Sequence, residues 1–169
     1  MPDAWIRQWG DPTLRLTAPA VQTIDEILRA QVARMQRLLV QAGGAGLAAT
    51  QVGLLRRVFV YRLDPDAPPD ALINPRVVSA SEDRATFHEG CLSFNTVAVA
   101  VERAAAVRVE AFDPEGHTRV LELDGFGASL MQHEIDHLDG ILTLDRATPD
   151  ERRRAIRALR TEHREPLAA

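Results

Sequence analysis

The chain has 169 residues, of which 46% are hydrophobic, and its formal net charge at pH 7 is -4. This length predicts a single domain over residues 1–169, and the mild charge, with both signs interspersed, argues against a nucleic-acid or anionic-membrane partner. No apolar stretch is long enough to span a bilayer, and the N-terminal segment lacks the pattern of a secretory signal.

The first predicted helix runs from Thr23 to about Gln41, with Thr23 as its N-cap and apolar residues spaced to form one buried face. Gly43 and Gly44 are expected to end this helix. The segment that follows, residues 44–53, is too rich in glycine and alanine for an ordinary helix or strand.

The middle of the chain is expected to be β-structure. Its candidate strands lie at residues 57–63, 72–79, 96–101, 106–112 and 118–123. Pro75 indicates either an edge strand or a bulge, because proline cannot donate a ladder hydrogen bond. The turn sequence at 113–117 predicts a hairpin between the last two strands.

Two more helices are predicted, at residues 125–139 and at 148 to about 164. The second begins with Pro149 after Thr148, and Glu151 completes a capping-box pattern. The order of helix, strands and two helices predicts an α+β fold with an antiparallel or mixed sheet.

The predicted helix at 125–139 contains the motif His-Glu-x-x-His. On a helix, His133 and His137 lie one turn apart on the same side, so their imidazoles can converge on one metal ion. Glu134 is displaced from His133 by about 100° and can transfer protons without becoming a ligand. The alternative is a partly buried helix that carries two ordinary histidines.

A catalytic metal site needs a third protein ligand and one open position for water. Cys91 is the only cysteine, so it forms no disulfide within the chain, and its presence favours a reducing cytoplasm. A set of one thiolate and two imidazoles suits Fe(II), Zn(II), Co(II) or Ni(II). From the residues alone His88 is the main competitor of Cys91, and other candidates are Asp136, Asp139, His117 and several glutamates.

Three segments together resemble the peptide deformylase family. They are residues 44–51 (GAGLAATQ), 89–93 (EGCLS) and 132–140 (QHEIDHLDG), in the family's order. Residues 6–16 and 72–75 fit as well, so the resemblance covers most of the chain. It implies an antiparallel sheet packed around a central helix that carries His-Glu-x-x-His, with one helix N-terminal and one C-terminal to it. It also implies hydrolysis of the N-formyl group from the N-terminal formylmethionine of newly made polypeptides, with release of formate.

The resemblance assigns roles by position. Cys91, His133 and His137 would hold one divalent metal, with Fe(II) favoured in the cell and Zn(II), Ni(II) or Co(II) accepted. Glu134 would be the general base and then the general acid, while the Gln51 amide and the Leu92 backbone N–H would donate to the oxyanion. The expected substrate-site residues are Gly44, Ala45, Gly46, Phe87, Glu89, Gly90, Phe126 and Leu130.

The implied partner is an N-formylated nascent peptide. Because such peptides emerge from the ribosome, the ribosome exit region is a candidate second partner. We expect a monomer in the cytoplasm. Two alternatives remain open: a His-Glu-x-x-His metallopeptidase, and a deformylase paralogue with altered substrate preference or a non-catalytic binding role.

The chain departs from the family beside the expected substrate groove. Phe94-Asn95 replaces an aliphatic residue and proline, the run 97–99 is small and apolar where many bacterial members carry an arginine, and Ala45 replaces a β-branched residue. These changes leave the substrate preference open. Glu89 and Arg103 form either an ion pair that fixes the cysteine loop or a surface pair, and Asp136 is either part of that support or exposed.

Overall fold

The computed structural model describes residues 6–94 and 97–162. Its helices are α1 (Glu26–Gln41), α2 (Gly125–Leu138), α3 (Thr143–Arg146) and α4 (Pro149–Glu162). Its strands are β1 (Gly46–Ala48), β2 (Val58–Tyr61), β3 (Asp70–Ala80), β4 (Arg84–Glu89), β5 (Val99–Ala104), β6 (Ala106–Phe112) and β7 (Thr118–Asp124). Short 3-10 helices lie at Pro12–Arg15 and Ala49–Val52. No helix in the described ranges is long and apolar enough to cross a membrane.

The strands form two sheets in which every pairing is antiparallel. One sheet has five strands in the order β1-β2-β3-β6-β7, and the other consists of β4 and β5. Helix α2 contacts all seven strands, so it is the central helix of the fold. The predicted α+β architecture, with mostly antiparallel strands packed around the helix that carries His-Glu-x-x-His, is confirmed.

The five-stranded sheet lies between two helices, and the alternation of side chains along its strands explains how. Phe59 and Tyr61 on β2 face α2 and pack with Met131, whereas Val58 and Val60 face α1. Because successive residues of a strand point to opposite faces, β2 is apolar throughout and buried on both sides.

The two-stranded sheet is held by the C-terminal helix. Val99 and Val101 of β5 pack with Ala155 and Leu159 of α4. Phe94, in the loop after Cys91, is buried in the same cluster. The loop that carries the cysteine is therefore anchored by a core of its own.

One local prediction was wrong, and one that had two alternatives was decided. The N-cap of α1 is Asp25 rather than Thr23, because the Asp25 carboxylate accepts a hydrogen bond from the Leu28 N–H at 2.8 Å. Pro75 lies in β3 beyond Ile73, the last residue of that strand that pairs with β2, and within the register shift between Ile73 and Arg76 in the pairing with β6. The alternative of a bulge is therefore confirmed.

Other outcomes concern element boundaries. Strand β4 was not predicted. The start of the strand expected from residue 96 and the end of the helix expected to reach 164 lie outside the described residues. At the start of α4 the Thr148 hydroxyl accepts from the Glu151 N–H at 3.3 Å, but the Glu151 carboxylate binds the Ala100 N–H and Arg154. The capping-box prediction is thus confirmed only for Thr148.

The bulge of β3 provides a stability prediction. Asn74 has φ +53°, and its side chain accepts from the Val21 N–H at 2.7 Å and donates to the Val21 carbonyl at 2.9 Å. Asn74→Ala should lower the free energy of unfolding by about 2–4 kcal/mol, from two lost hydrogen bonds and left-handed strain. Asn74→Gly should cost less because glycine tolerates this φ. Urea unfolding of both variants checks this, and equal losses would contradict the strain contribution.

Candidate metal centre

The loop after β4 and the middle of α2 bring the three predicted ligands together. One ligand atom from each of Cys91, His133 and His137 lies within 4.8 Å of the other two, and all three side chains are buried. Cys91 Sγ is 3.2 Å from His137 Nε2. The prediction that these residues are positioned for one metal ion is confirmed.

The competing third ligands are not part of this group, although His88 lines the same cavity. His88 is exposed on β4, Asp139 pairs with Arg57 at 2.6 Å, and the His117 imidazole lies 3.3 Å from Asp113. No other group of three His, Cys, Asp or Glu residues within 6–94 and 97–162 is arranged for a metal. Geometry therefore selects Cys91.

The two histidines have different surroundings. His133 Nδ1 lies 2.9 Å from a Glu89 carboxylate oxygen, which orients the ring and leaves Nε2 for a ligand bond. Burial holds the pKa of His137 well below its ordinary value, so this imidazole is neutral, the form that binds metals. Burial would also lower the pKa of His133, but Cys91 and Glu89 outweigh it and raise that pKa. The centre thus attracts positive charge.

Glu89 is held by a buried ion pair. Its carboxylate accepts from Arg103 Nε at 2.7 Å and Nη2 at 2.9 Å, and from the Ser129 hydroxyl at 2.9 Å. Burial would raise the pKa of Glu89, but the hydrogen bonds from His133 and Arg103 outweigh it and lower the pKa to about 2. Glu89 and Arg103 are 7% and 3% exposed, which decides between the two alternatives in favour of support for the cysteine loop.

Asp136 belongs to the same buried group. It accepts from Arg103 at 2.5 Å and from Arg146 at 2.6 and 3.0 Å. Ser129 and Arg146 were not foreseen from the sequence. Ser129 lies one helical turn before His133, so helical spacing was a usable signal, whereas Arg146 had none.

Glu134 lies beside the ligands and is 2% exposed. Its Oε2 atom has no hydrogen-bond partner among the described residues, and burial raises its pKa to about 7. The backbone of Gly46 passes so closely that an added Cβ would lie 2.1 Å from Glu134 Oε1. A buried carboxylate without a partner is costly, so this one is placed for a group that the protein chain does not supply.

The Gly46 contact predicts a large effect from one methyl group. Gly46→Ala should lower the catalytic rate at this centre by about 10- to 100-fold, because Glu134 must move by an ångström or more. Gly127→Ala on the helix of Glu134 is the matched control, because the atoms nearest the new Cβ belong to the Leu123 side chain, at 3.2 Å or more. Steady-state rates at equal metal content test this, and equal activity of both variants would contradict it.

Gln51 is buried and contacts the loop that carries the cysteine. Its Oε1 accepts from the Ala48 N–H at 2.8 Å, and its Nε2 lies 3.0 Å from Ser93 Oγ and 3.5 Å from Cys91 Sγ. The loop of Leu92 packs against the glycine-rich segment, since a Cβ on Gly44 would lie 2.8 Å from Leu92 Cδ1. The absence of a side chain at Gly44 therefore allows the loop of Leu92 to lie close to the glycine-rich segment.

A cavity of about 410 Å³ opens onto this centre. All eight residues predicted for the substrate site line it: Gly44, Ala45, Gly46, Phe87, Glu89, Gly90, Phe126 and Leu130. The carboxylate oxygens of Glu89 are engaged by protein groups, so its part in the wall is to hold His133. A larger groove of about 760 Å³ shares only Phe126 with this cavity and contains none of the three ligands.

The residues at which this chain departs from the family pattern were expected beside the substrate groove, but only some of them lie there. Ala45 lines the cavity, but Phe94, Val97 and Val99 are buried in the core beneath α4. Asn95 lies outside the described residues. Of the described departures, the change at Ala45 is the one in the cavity wall.

Comparisons with known proteins agree with this geometry. Residues 3–153 match the sequence model of the family described as polypeptide deformylase. Curated relatives named peptide deformylase are 41% identical over 147 residues in Thermotoga neapolitana (87% of this chain, 88% of the relative) and 44% identical over 145 residues in Treponema pallidum (86% and 87%). A crystal structure described as a peptide deformylase from Legionella pneumophila has a TM-score of 0.89 at 35% identity, covering 96% of this chain and 99% of that one.

Proposed function

The chain belongs to the peptide deformylase family of hydrolases, which remove the N-formyl group from N-terminal formylmethionine, and we propose that Cys91, His133 and His137 hold the divalent metal for this reaction. The observation that carries the proposal is the buried Glu134 carboxylate, whose Oε2 has no hydrogen-bond partner among the described residues and which lies beside these ligands at the cavity. The substrate is the formylated end of a nascent polypeptide.

The donor set fits a metal. Three ligands leave a coordination position for water, as catalytic sites require, and the environment that raises the pKa of His133 would equally favour a metal cation. When bound, a divalent metal supplies a water whose pKa is lowered towards ~7. We assign Fe(II) as the metal in the cell, with Zn(II), Ni(II) and Co(II) as ions that the same thiolate and imidazoles accommodate.

Glu134 is the proton carrier. In the metal-free protein burial raises the pKa of Glu134 to about 7. A buried carboxylate beside the ligands can accept a proton from water and return it to the leaving amine. The Gln51 amide and the Leu92 N–H donate to the carbonyl oxygen as negative charge develops there. One such donor contributes roughly 3 kcal/mol to transition-state stabilisation. Gln51 must turn an N–H from Cys91 or Ser93 toward the substrate to do so.

The cavity accounts for the methionine side chain. Phe87, Phe126 and Leu130 are apolar walls, and Gly44 and Gly46 allow a peptide backbone to lie close to the protein backbone. Ala45 leaves more room in the wall than a β-branched residue would. We therefore expect Ala45→Ile to favour formyl-Met over bulkier formyl-residues in kcat/KM, and an unchanged order of preference would contradict this explanation.

Formate release tests the function directly. Protein purified without oxygen should contain one metal per chain and release formate from a formyl-Met peptide, and it should cleave no backbone bond in the unformylated peptide. Internal cleavage would support the metallopeptidase alternative. Metal binding without either reaction would support a binding role.

The same residues support proposals for the cellular location and the oligomeric state of the protein. A thiolate ligand persists under reducing conditions, so we place the protein in the cytoplasm, acting near the ribosome exit where formylated ends emerge. We propose a monomer, because ligands and cavity walls come from one chain, and a single domain over 1–169, which the family match over 3–153 supports. Size-exclusion chromatography with light scattering tests the monomer.

A further inference from the structure

A chain of hydrogen bonds and ion pairs connects the metal ligand His133 to the surface of the molecule. From His133 it passes to Glu89 at 2.9 Å, to Arg103 at 2.7 and 2.9 Å, and to Asp136 at 2.5 Å. It ends at Arg146 on α3, whose Nε and Nη2 bind the two Asp136 oxygens at 3.0 and 2.6 Å. Four elements, namely α2, β4, β5 and α3, therefore meet in one charged network.

The network is balanced only when Arg146 is included. Glu89 and Asp136 are buried carboxylates, and Arg103, which is 3% exposed, divides its guanidinium between them. A second buried carboxylate needs a second cation, because an unpaired charge away from water is expensive. Arg146 provides it with a two-pronged contact, the strongest geometry between these groups.

Loss of Arg146 would set the two carboxylates in competition. Among the described residues Asp136 would retain Arg103 as its one cationic partner, and any shift of Arg103 towards Asp136 weakens the two hydrogen bonds from Arg103 to Glu89. Glu89 in turn orients His133 through Nδ1. Groups that support a ligand in this way affect metal affinity even though they do not touch the metal.

We propose that Arg146 is a positioning residue for the metal ligand His133, and that it acts through Asp136, Arg103 and Glu89. This role rests on the proposed metal centre. It differs from a general contribution to folding, because it predicts an effect on the metal that depends on Glu89.

The structure offers a close control. Arg15 also binds an acidic residue of α3, Asp145, through two nitrogens, and its side chain is 46% exposed against 45% for Arg146. Arg15→Met therefore removes another two-nitrogen ion pair with an acidic residue of the same helix, one whose carboxylate is 27% exposed against 9% for Asp136, without touching the network. Arg146→Met and Arg146→Lys form the test pair, since lysine keeps the charge but loses the planar fork.

The measurement is the Kd for Co(II), by competition with a chelator, together with the Co(II) absorption spectrum and the kinetics of formate release. Arg146→Met should raise the Kd about tenfold and lower kcat, with KM unchanged because the cavity walls are intact. Its Co(II) bands should shift. Arg146→Lys should fall between Arg146→Met and the wild type, and Arg15→Met should leave Kd and spectrum unchanged.

A double-mutant cycle separates this role from a structural one. In a Glu89→Gln background Arg146→Lys should have no further effect on the Kd, because the route to His133 is already broken. An undiminished effect there, or equal changes in Arg15→Met and Arg146→Met, would overturn the proposal, and the milder lysine variant keeps it testable if Arg146→Met does not fold. A wild-type protein that neither binds Co(II) nor releases formate would instead refute the metal centre itself.

Discussion

Replacing Glu134 with glutamine is expected to lower kcat for formate release by about 10²- to 10⁴-fold, the range for loss of a general acid–base group. Glutamine has the same shape but can neither accept the proton of water nor return it to the leaving amine. The variant should keep its metal, because Cys91, His133 and His137 are unaltered. Formate release and metal content, measured on the same preparation, test this, and near-wild-type kcat would remove Glu134 from the mechanism.

The same variant has a stability control with a defined sign. The pKa of Glu134 is about 7 in the folded, metal-free protein and 4.5 in the unfolded chain. Ionising the buried carboxyl therefore destabilises the metal-free fold as pH rises through this interval. At pH 8 the metal-free Glu134→Gln protein should be more stable than wild type by up to roughly 3 kcal/mol. Below pH 4.5 the difference should disappear. A lost activity together with a gained stability cannot be attributed to unfolding.

Removing the thiolate should have the other large effect. Cys91→Ala leaves two imidazoles, and we expect the affinity for the metal to fall by more than about 100-fold. This is more than is typically lost when a residue that only hydrogen-bonds to a ligand is removed. Formate release should fall with the metal content. Sγ also accepts from the Ser93 N–H at 3.4 Å, so circular dichroism and thermal unfolding must show that the loop remains folded.

His88→Ala is the matched control for that experiment. His88 is the competing ligand from the sequence, lies three residues before Cys91 and is exposed. Its removal should leave the metal-to-protein ratio unchanged in the anaerobically purified protein. Metal retained by Cys91→Ala and lost from His88→Ala would reverse the assignment of the third ligand.

Local sequence rules were most accurate where an element depends on its own residues. The strand expected at 106–112 has those bounds in β6, and the helix expected at 125–139 ends one residue earlier in α2. In contrast, β4 was missed. Its sequence, RATFHE, is largely polar, and the strand exists because it pairs with β5 along its whole length. The N-cap of α1 also depended on which of two eligible side chains reached the Leu28 N–H.

The chemical core of the site followed from the sequence for a physical reason. His133, Glu134 and His137 are on one helix, and helical geometry alone puts two imidazoles and a carboxylate on neighbouring faces. Cys91 is 42 residues before His133, so the residues alone left His88 as an alternative, and only the resemblance of the whole 89–93 segment selected the cysteine.

Tertiary structure decided what surrounds these groups. Whether Glu89 and Arg103 were a surface pair or a buried support depended on which face of the two-stranded sheet turns towards α2, and burial cannot be read from two charged residues in a sequence. Likewise, the role of Gly46 beside Glu134 and the place of Arg146 at the end of the ion-pair chain arise from contacts between distant elements. The sequence by itself therefore predicted the ligands, the proton carrier and the family, because these predictions depend on helical spacing and contiguous motifs. Only the folded chain determined how the ligands are oriented and which charges balance them, because those depend on packing between segments far apart in the chain.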